Sequence, residues 1–175
     1  RYNRGLALYK SGRLDEAIID FTRTLEVSPD FIFALMNRGN IYSHKGLFKN
    51  AIADYDKAIT LNAAEFLLWL NRGLAKGRLG DLQGAVSDLA QAIAIKPDDN
   101  QSRLALAEIH TVQGDFSAAK AEYAKVLEID PSDDRAFQSL ADWKMKELKI
   151  SLPGMEVEHE HTKSAAATLT SLDVE

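Results

Sequence analysis

A chain of 175 residues with 46% hydrophobic side chains has ample apolar surface to bury, so disorder is not the expectation for most of it. The formal charge of −5 is uneven: residues 151–175 hold one Lys and five acids, for −4, and residues 1–150 stand at −1, without the field of Lys and Arg that nucleic acid requires. Cysteine is absent, which removes disulfides, thiolate metal sites and cysteine nucleophiles and leaves the compartment open, and the longest apolar run, Phe66 to Leu70, is too short to cross a bilayer.

In chain order, the sequence reads as a series of helix pairs. Each unit carries an apolar pattern of period 3.6, a glycine, a second such pattern and then a proline or turn. The units run over about 1–31, 32–65, 66–99 and 100–133. Arg1 already falls within the first helical pattern, so the first unit is expected to be truncated and residues are expected upstream. In the second unit the helices are placed at about Ile32 to Lys45 and Phe48 to Leu61. Pro29, Pro97 and Pro131 close three units, and Asn62 and Ala63 take that place in the second. Asp81 and Asp115, which follow glycines, suit helix N-caps.

Residues 132–150 read as a single closing helix, with Ser132 as its cap, Asp133 and Asp134 in its first turn, and Phe137, Leu140, Ala141 and Leu148 as its apolar stripe beside Trp143. A terminal helix of this kind gives a stack of repeats its polar outer face. From Ser151 the period stops, and an acidic tail rich in Ser, Thr and Ala follows to residue 175, with room for a short helix around Ser164 to Leu169. His159 and His161 sit among glutamates there, but His-x-His without further ligands is a weak metal signal, and no metal or cofactor is expected.

The units repeat at a fixed step of 34 residues. Gly5, Gly39, Gly73 and Ala107 share one register; Gly12, Gly46, Gly80 and Gly114 share a second; Ala17, Ala51, Ala85 and Ala119 share a third; and Phe21, Tyr55, Leu89 and Tyr123 share a fourth. Small residues at Gly39 and Ala51 suit a close helix crossing, and the large residue four after each alanine is expected to fill the gap between neighbouring units.

This layout resembles the tetratricopeptide repeat, in which Trp, Leu, Gly and Tyr mark the first helix and Ala, Phe and Pro follow. The third unit supplies Trp69, Arg72, Gly73, Lys76, Ala85, Leu89 and Pro97; the second supplies Leu35, Arg38, Gly39, Tyr42, Ala51 and Tyr55; the fourth supplies Arg103, Leu106, Ala107, His110, Ala119, Tyr123 and Pro131. The resemblance covers residues 1–131. It implies an all-α fold: a right-handed α-solenoid of antiparallel helix pairs, four repeats and a capping helix, whose first helices line a concave surface where a partner lies.

Asn-Arg-Gly recurs at Asn3, Asn37 and Asn71. Asparagine is a mediocre helix former, so three at one interior position call for a reason. The series resembles the asparagine ladder of the O-linked N-acetylglucosamine transferase repeats, which implies amides that hold an extended peptide by its backbone. A primary amide both donates and accepts, so it matches a peptide group of any sequence. The alternative is that these residues only bond to adjacent helices or water. The expected groove comprises Asn3, Phe33, Met36, Asn37, Asn40, His44, Leu67, Leu70, Asn71, Leu74, Arg78 and Leu104, with Ala105 ending the ladder. Each apolar anchor contributes about 1.5 to 3 kcal/mol and each amide bond about 1, less the ordering of the peptide, for micromolar binding near −8 kcal/mol. On this reading, replacing Asn37 and Asn71 by alanine weakens binding and leaves the melting temperature nearly unchanged.

The family's basic clamp for chaperone C-terminal carboxylates needs lysines and an arginine along this surface; aligned there, the chain offers Tyr2, Leu6, Asn37, Leu67 and Asn71, none of them a cation and only Asn37 matching the clamp's pattern, which argues against chaperone tails. Pentatricopeptide RNA binders lean on a basic surface that is missing here. The four histidines, His44, His110, His159 and His161, are scattered, and no phosphate loop or His-Glu-x-x-His motif occurs, so no catalytic or cofactor site is expected. The expected role is a scaffold for a partner protein or extended peptide. The alternatives are the targeting arm of a larger enzyme and a self-association module.

Overall fold

A computed structural model describes residues 1–150, with side chains described through Lys146. The acidic tail, its histidines, the helix expected at 164–169 and the side chain of Leu148 lie outside the described residues. Among the described residues there are nine α-helices and no strand. They divide into two compact bodies, Arg1–Ile95 and the chain from Lys96 onward.

The N-terminal body contains three pairs: α1 (Tyr2–Lys10) with α2 (Leu14–Val27), α3 (Ile32–His44) with α4 (Phe48–Leu61), and α5 (Phe66–Leu79) with α6 (Leu82–Ile95). Arg1 is the N-cap of α1 rather than part of the helix, and α1 begins four residues later in the 34-residue register than α3 and α5. Each second helix also packs on the next first helix, α2 on α3 and α4 on α5, while α1, α3 and α5 touch in a row. The C-terminal body pairs α7 (Asn100–Gln113) with α8 (Phe116–Ile129), and α9 (Asp134–Ile150) packs on α8.

The turn inside each pair is made by a glycine at positive φ, between 72° and 91° at Gly12, Gly46, Gly80 and Gly114, where a side chain would be strained. The second helix then starts on a cap where an aspartate is available: Asp81 Oδ1 accepts from Gly84 N at 2.9 Å and Asp115 Oδ1 from Ala118 N at 3.0 Å. Pro29, Pro97 and Pro131 each stand two residues beyond a helix end. Asn62 replaces one of them with a side-chain turn, its Oδ1 accepting from Ala64 N at 3.1 Å.

In the first three pairs the glycine of the first helix lies in direct contact with the large residue of the second. A Cβ built on Gly39 would lie 2.7 Å from Cε1 of Tyr55; on Gly5, 2.9 Å from Phe21; on Gly73, 3.0 Å from Leu89. Phe21, Tyr55 and Leu89 thus sit on the glycine of their own pair, and Ala17, Ala51, Ala85 and Ala119 are wholly enclosed.

In the C-terminal body, Leu104, Ala107, Ala119, Tyr123, Val126, Ala136 and Trp143 form one core, with Leu140 against it. Trp143, expected at a margin, is buried here; its ring meets Tyr123 at 5.5 Å and Phe116 at 6.0 Å. Phe137, expected in the buried stripe, is 62% exposed. Ser132 does not cap α9. Asp133 does, accepting from Ala136 N at 2.9 Å, while Ser132 gives both its N–H and its hydroxyl to Asp130.

Candidate partner-binding face

The first helices α1, α3 and α5 lie side by side, and the asparagines stand at the seams between them. Nδ2 of Asn37 donates to the carbonyl of Phe33 one turn earlier, at 2.7 Å, and to the Tyr2 hydroxyl on α1, at 3.3 Å. Nδ2 of Asn71 donates to Oδ1 of Asn40 on α3, at 3.0 Å, and the same oxygen accepts the Tyr55 hydroxyl at 2.7 Å. At both seams the later helix therefore gives an amide N–H to the earlier one. Burial raises the pKa of the Tyr2 phenol, with the Asn37 bond opposing it. Asn37 uses both amide hydrogens inside the protein and Asn71 one of its two, so a partner would meet the carbonyl oxygens of both.

Around these amides the accessible groups are unequal. Asn3 and His44 are exposed, and Phe33 is 57% exposed. Met36, Asn37, Asn40, Leu67, Asn71 and Arg78 are half-buried. An aromatic group gathers at one end, where Phe31 lies edge-on to Tyr2 at 4.7 Å and to Phe33 at 6.1 Å. His44 stands edge-on to Tyr9 at 6.1 Å.

Three residues expected in the groove have no surface to offer. Leu70 and Leu74 are buried because α5 also encloses Leu68, Gly73, Ala75 and Gly77, a band wider than one amphipathic stripe. Leu104 belongs to the core of the C-terminal body.

The middle residue of Asn-Arg-Gly, which sequence reasoning passed over, makes the most regular contact. Arg4 grips Asp20, Arg38 grips Asp54 and Arg72 grips Asp88, each through Nε and a terminal nitrogen at 2.6 to 2.8 Å. The three aspartates are buried, and each pair joins the first and second helices of one unit. Arg38 also gives Nη1 to Thr22 at 3.0 Å and Arg72 gives Nη1 to Asp56 at 2.7 Å, so both guanidiniums reach the preceding unit's second helix. Asp88 takes Lys76 as a second cation at 2.8 Å, and Arg72 lies 4.8 Å over the Trp69 ring. In the fourth unit Leu106 stands in the arginine register, and Arg103, one turn earlier, reaches Glu122 at 3.0 Å. The signal was present in the sequence as acids 16 residues after each arginine, all in the 34-residue register.

Among the described residues, no group of three His, Asp or Glu side chains is placed to hold a metal, and no helix is long and apolar enough to cross a membrane.

The fold has many solved counterparts. A crystal structure of MamA superposes with a TM-score of 0.77 at 22% identity, covering 97% of this chain and 91% of that one. YrrB, described as a TPR protein with an unusual peptide-binding site, gives 0.71 at 20% identity over 98% of this chain and 82% of its own. The first TPR of Spaghetti (RPAP3), bound to the HSP90 peptide SRMEEVD, gives 0.63 at 25% identity over 67% of this chain and 93% of its own. No curated protein sequence matches the chain. Tetratricopeptide repeat models match residues 1–31 and 32–63 and, separately, residues 78–142. Together with the helix pairs and the 34-residue step, these matches show that the chain belongs to the tetratricopeptide repeat family.

Proposed function

We propose that the protein is an interaction scaffold that holds an extended segment of a partner protein along α1, α3 and α5 of the N-terminal body. The observation that carries this reading is the row of outward groups on touching first helices: Asn3, Phe33 and His44 exposed, with Asn37, Asn40, Leu67 and Asn71 half-open beside them. Phe33, backed by Phe31 and Tyr2, suits an apolar or aromatic side chain of the partner. The amide oxygens of Asn37 and Asn71 suit its backbone N–H groups. Two structural counterparts support the reading, YrrB by its peptide-binding site and the Spaghetti repeat by its bound HSP90 peptide.

The partner differs from a chaperone tail, because Tyr2, Leu6, Asn37, Leu67 and Asn71 place no cation where a C-terminal carboxylate would need one. The work of the protein on this reading is binding rather than catalysis. Selection of a displayed random-peptide library on the full chain tests it. The expected outcome is a set of micromolar ligands with an apolar anchor, weakened about tenfold by Phe33→Ala, which removes an exposed ring worth 1 to 2 kcal/mol in contact. Failure to select any peptide, or ligands indifferent to Phe33→Ala and to Asn3→Ala, would remove the proposal.

A further inference from the structure

The first helices of the N-terminal body are charged in one sense only. No Asp or Glu stands within α1, α3 or α5; the acids of these pairs lie on the second helices, at caps or in turns. Four cations of the first helices are held by acids of the second: Arg4 by Asp20, Arg38 by Asp54, and Arg72 and Lys76 by Asp88. Three more basic residues share a different register, Lys10, His44 and Arg78, each in the last turn of its helix. Lys10 and His44 are exposed and Arg78 is half-buried. His44 meets the ring of Tyr9 at 6.1 Å, which brings it to the end of α1 that carries Lys10.

Cations in a last turn complement the helix dipole. Here they also form one border of the asparagine row. Seven residues before them, about 10 Å back along each axis, stand Asn3, Asn37 and Asn71, and four residues before Asn37 and Asn71 stand Phe33 and Leu67. The amides thus run between a basic border and an apolar one, and no acid within a first helix offsets the basic side.

A partner whose N–H groups meet the oxygens of Asn37 and Asn71 lies across the helices, along that row. In an extended chain the side chains stand roughly at right angles to the backbone hydrogen bonds and alternate in direction. With its edge on the amides, such a chain turns every second side chain toward Phe33 and Leu67 and the others toward Lys10, His44 and Arg78. We propose that the segment this face selects alternates apolar and acidic residues, with its carboxylates on the basic border and its apolar side chains on Phe33 and Leu67. The inference rests on the peptide-binding reading above and adds to it the sequence pattern of the ligand and the residues that read its charge.

Three short peptides, blocked at both ends, test it: valine alternating with glutamate, valine alternating with lysine, and a peptide of the first composition with its valines and glutamates in separate blocks. In calorimetric titrations of the full chain at low salt, the alternating glutamate peptide is expected to bind with a Kd on the order of 100 µM, about fivefold tighter than either of the others. Lys10→Glu should weaken the glutamate peptide by about fivefold and strengthen the lysine peptide, a reversal that a purely structural role of Lys10 would not produce. Lys10→Gln should fall between the two, and it carries the test if circular dichroism shows that glutamate at the end of α1 disturbs the helix. Equal binding of the glutamate and lysine peptides, equal binding of the block peptide, or indifference to the Lys10 variants would overturn the inference. If library-selected peptides bind and need Phe33 while the glutamate peptide does not bind, this inference falls and the peptide-binding reading stands. If neither kind binds, both fall.

Discussion

Arg38 and Asp54 face each other as a planar fork on a carboxylate, Nε at 2.8 Å and Nη2 at 2.7 Å, with the third guanidinium nitrogen carried on to Thr22. One side chain thereby fastens three helices, α3, α4 and α2. Because Asp54 is buried, removing the arginine strands a carboxylate in the interior, and Arg38→Ala is expected to cost about 3 kcal/mol in urea denaturation. Arg38→Lys should recover only part of this, since an ammonium cannot match two oxygens and a hydroxyl at once. Arg4→Ala should cost less than Arg38→Ala, because Arg4 is mostly in water.

The glycine crossings give a sharper steric prediction. Tyr55 cannot swing away from a new methyl group on residue 39, because its ring is buried and its hydroxyl is bonded to Asn40. Gly39→Ala is therefore expected to destabilise by about 1 to 3 kcal/mol through overpacking. Gly46→Ala meets no atom at all, yet should cost about 1 kcal/mol for its left-handed backbone. Thermal melts of the two single variants test a cost of contact against a cost of conformation.

Acid should loosen the first helix pair. The hydrogen bonds from Arg4 hold the Asp20 carboxyl below its ordinary pKa, against the desolvation that would raise it. A carboxylate depressed in the folded state contributes stability that is fully present above its unfolded value near 3.9, and that contribution is lost as pH falls through the folded value. The melting temperature should thus drop below about pH 4, and the drop should be shallower in Asp20→Asn, which has no such proton to bind. Melts recorded in a buffer series from neutrality into acid provide the check.

Two of the asparagines bond to adjacent helices, as the alternative reading of the sequence had it. Asn37 and Asn71 each tie one first helix to the previous one, so the expectation of an unchanged melting temperature for the double alanine variant does not stand. Each lost bond is worth about 1 kcal/mol, and the pair should lower stability by about 2. A double variant as stable as the parent would show that these amide bonds are not kept in solution.

The helix pairs were legible because their signals are local and repeated: glycine 34 residues from glycine, alanine from alanine, proline just after a helix end. The faces were less legible. Periodicity places Leu70 and Leu74 on one side of a helix with Asn71, and Leu104 at the register of Leu70 one unit on, but only the surrounding chain decides whether that side is open, and all three are enclosed. Ser132 and Asp133 are both good caps by composition, and one residue of phase decided for the aspartate. The arginine forks were recoverable in principle. Three acids in a single register demand partners, and the arginine 16 residues before each supplies one.

The exchange in the fourth unit has a consequence for anyone who edits or transplants these repeats. A tally that scores one position at a time marks Leu106 as a lapse to be repaired, but Arg103 already neutralises Glu122 from a turn away. Restoring arginine at 106 alone would bring a third cation to an acid that already holds Arg103 and Lys125, whereas moving both residues together keeps the charge count whole. The two sites are therefore epistatic: the merit of either residue is defined only once the other is known.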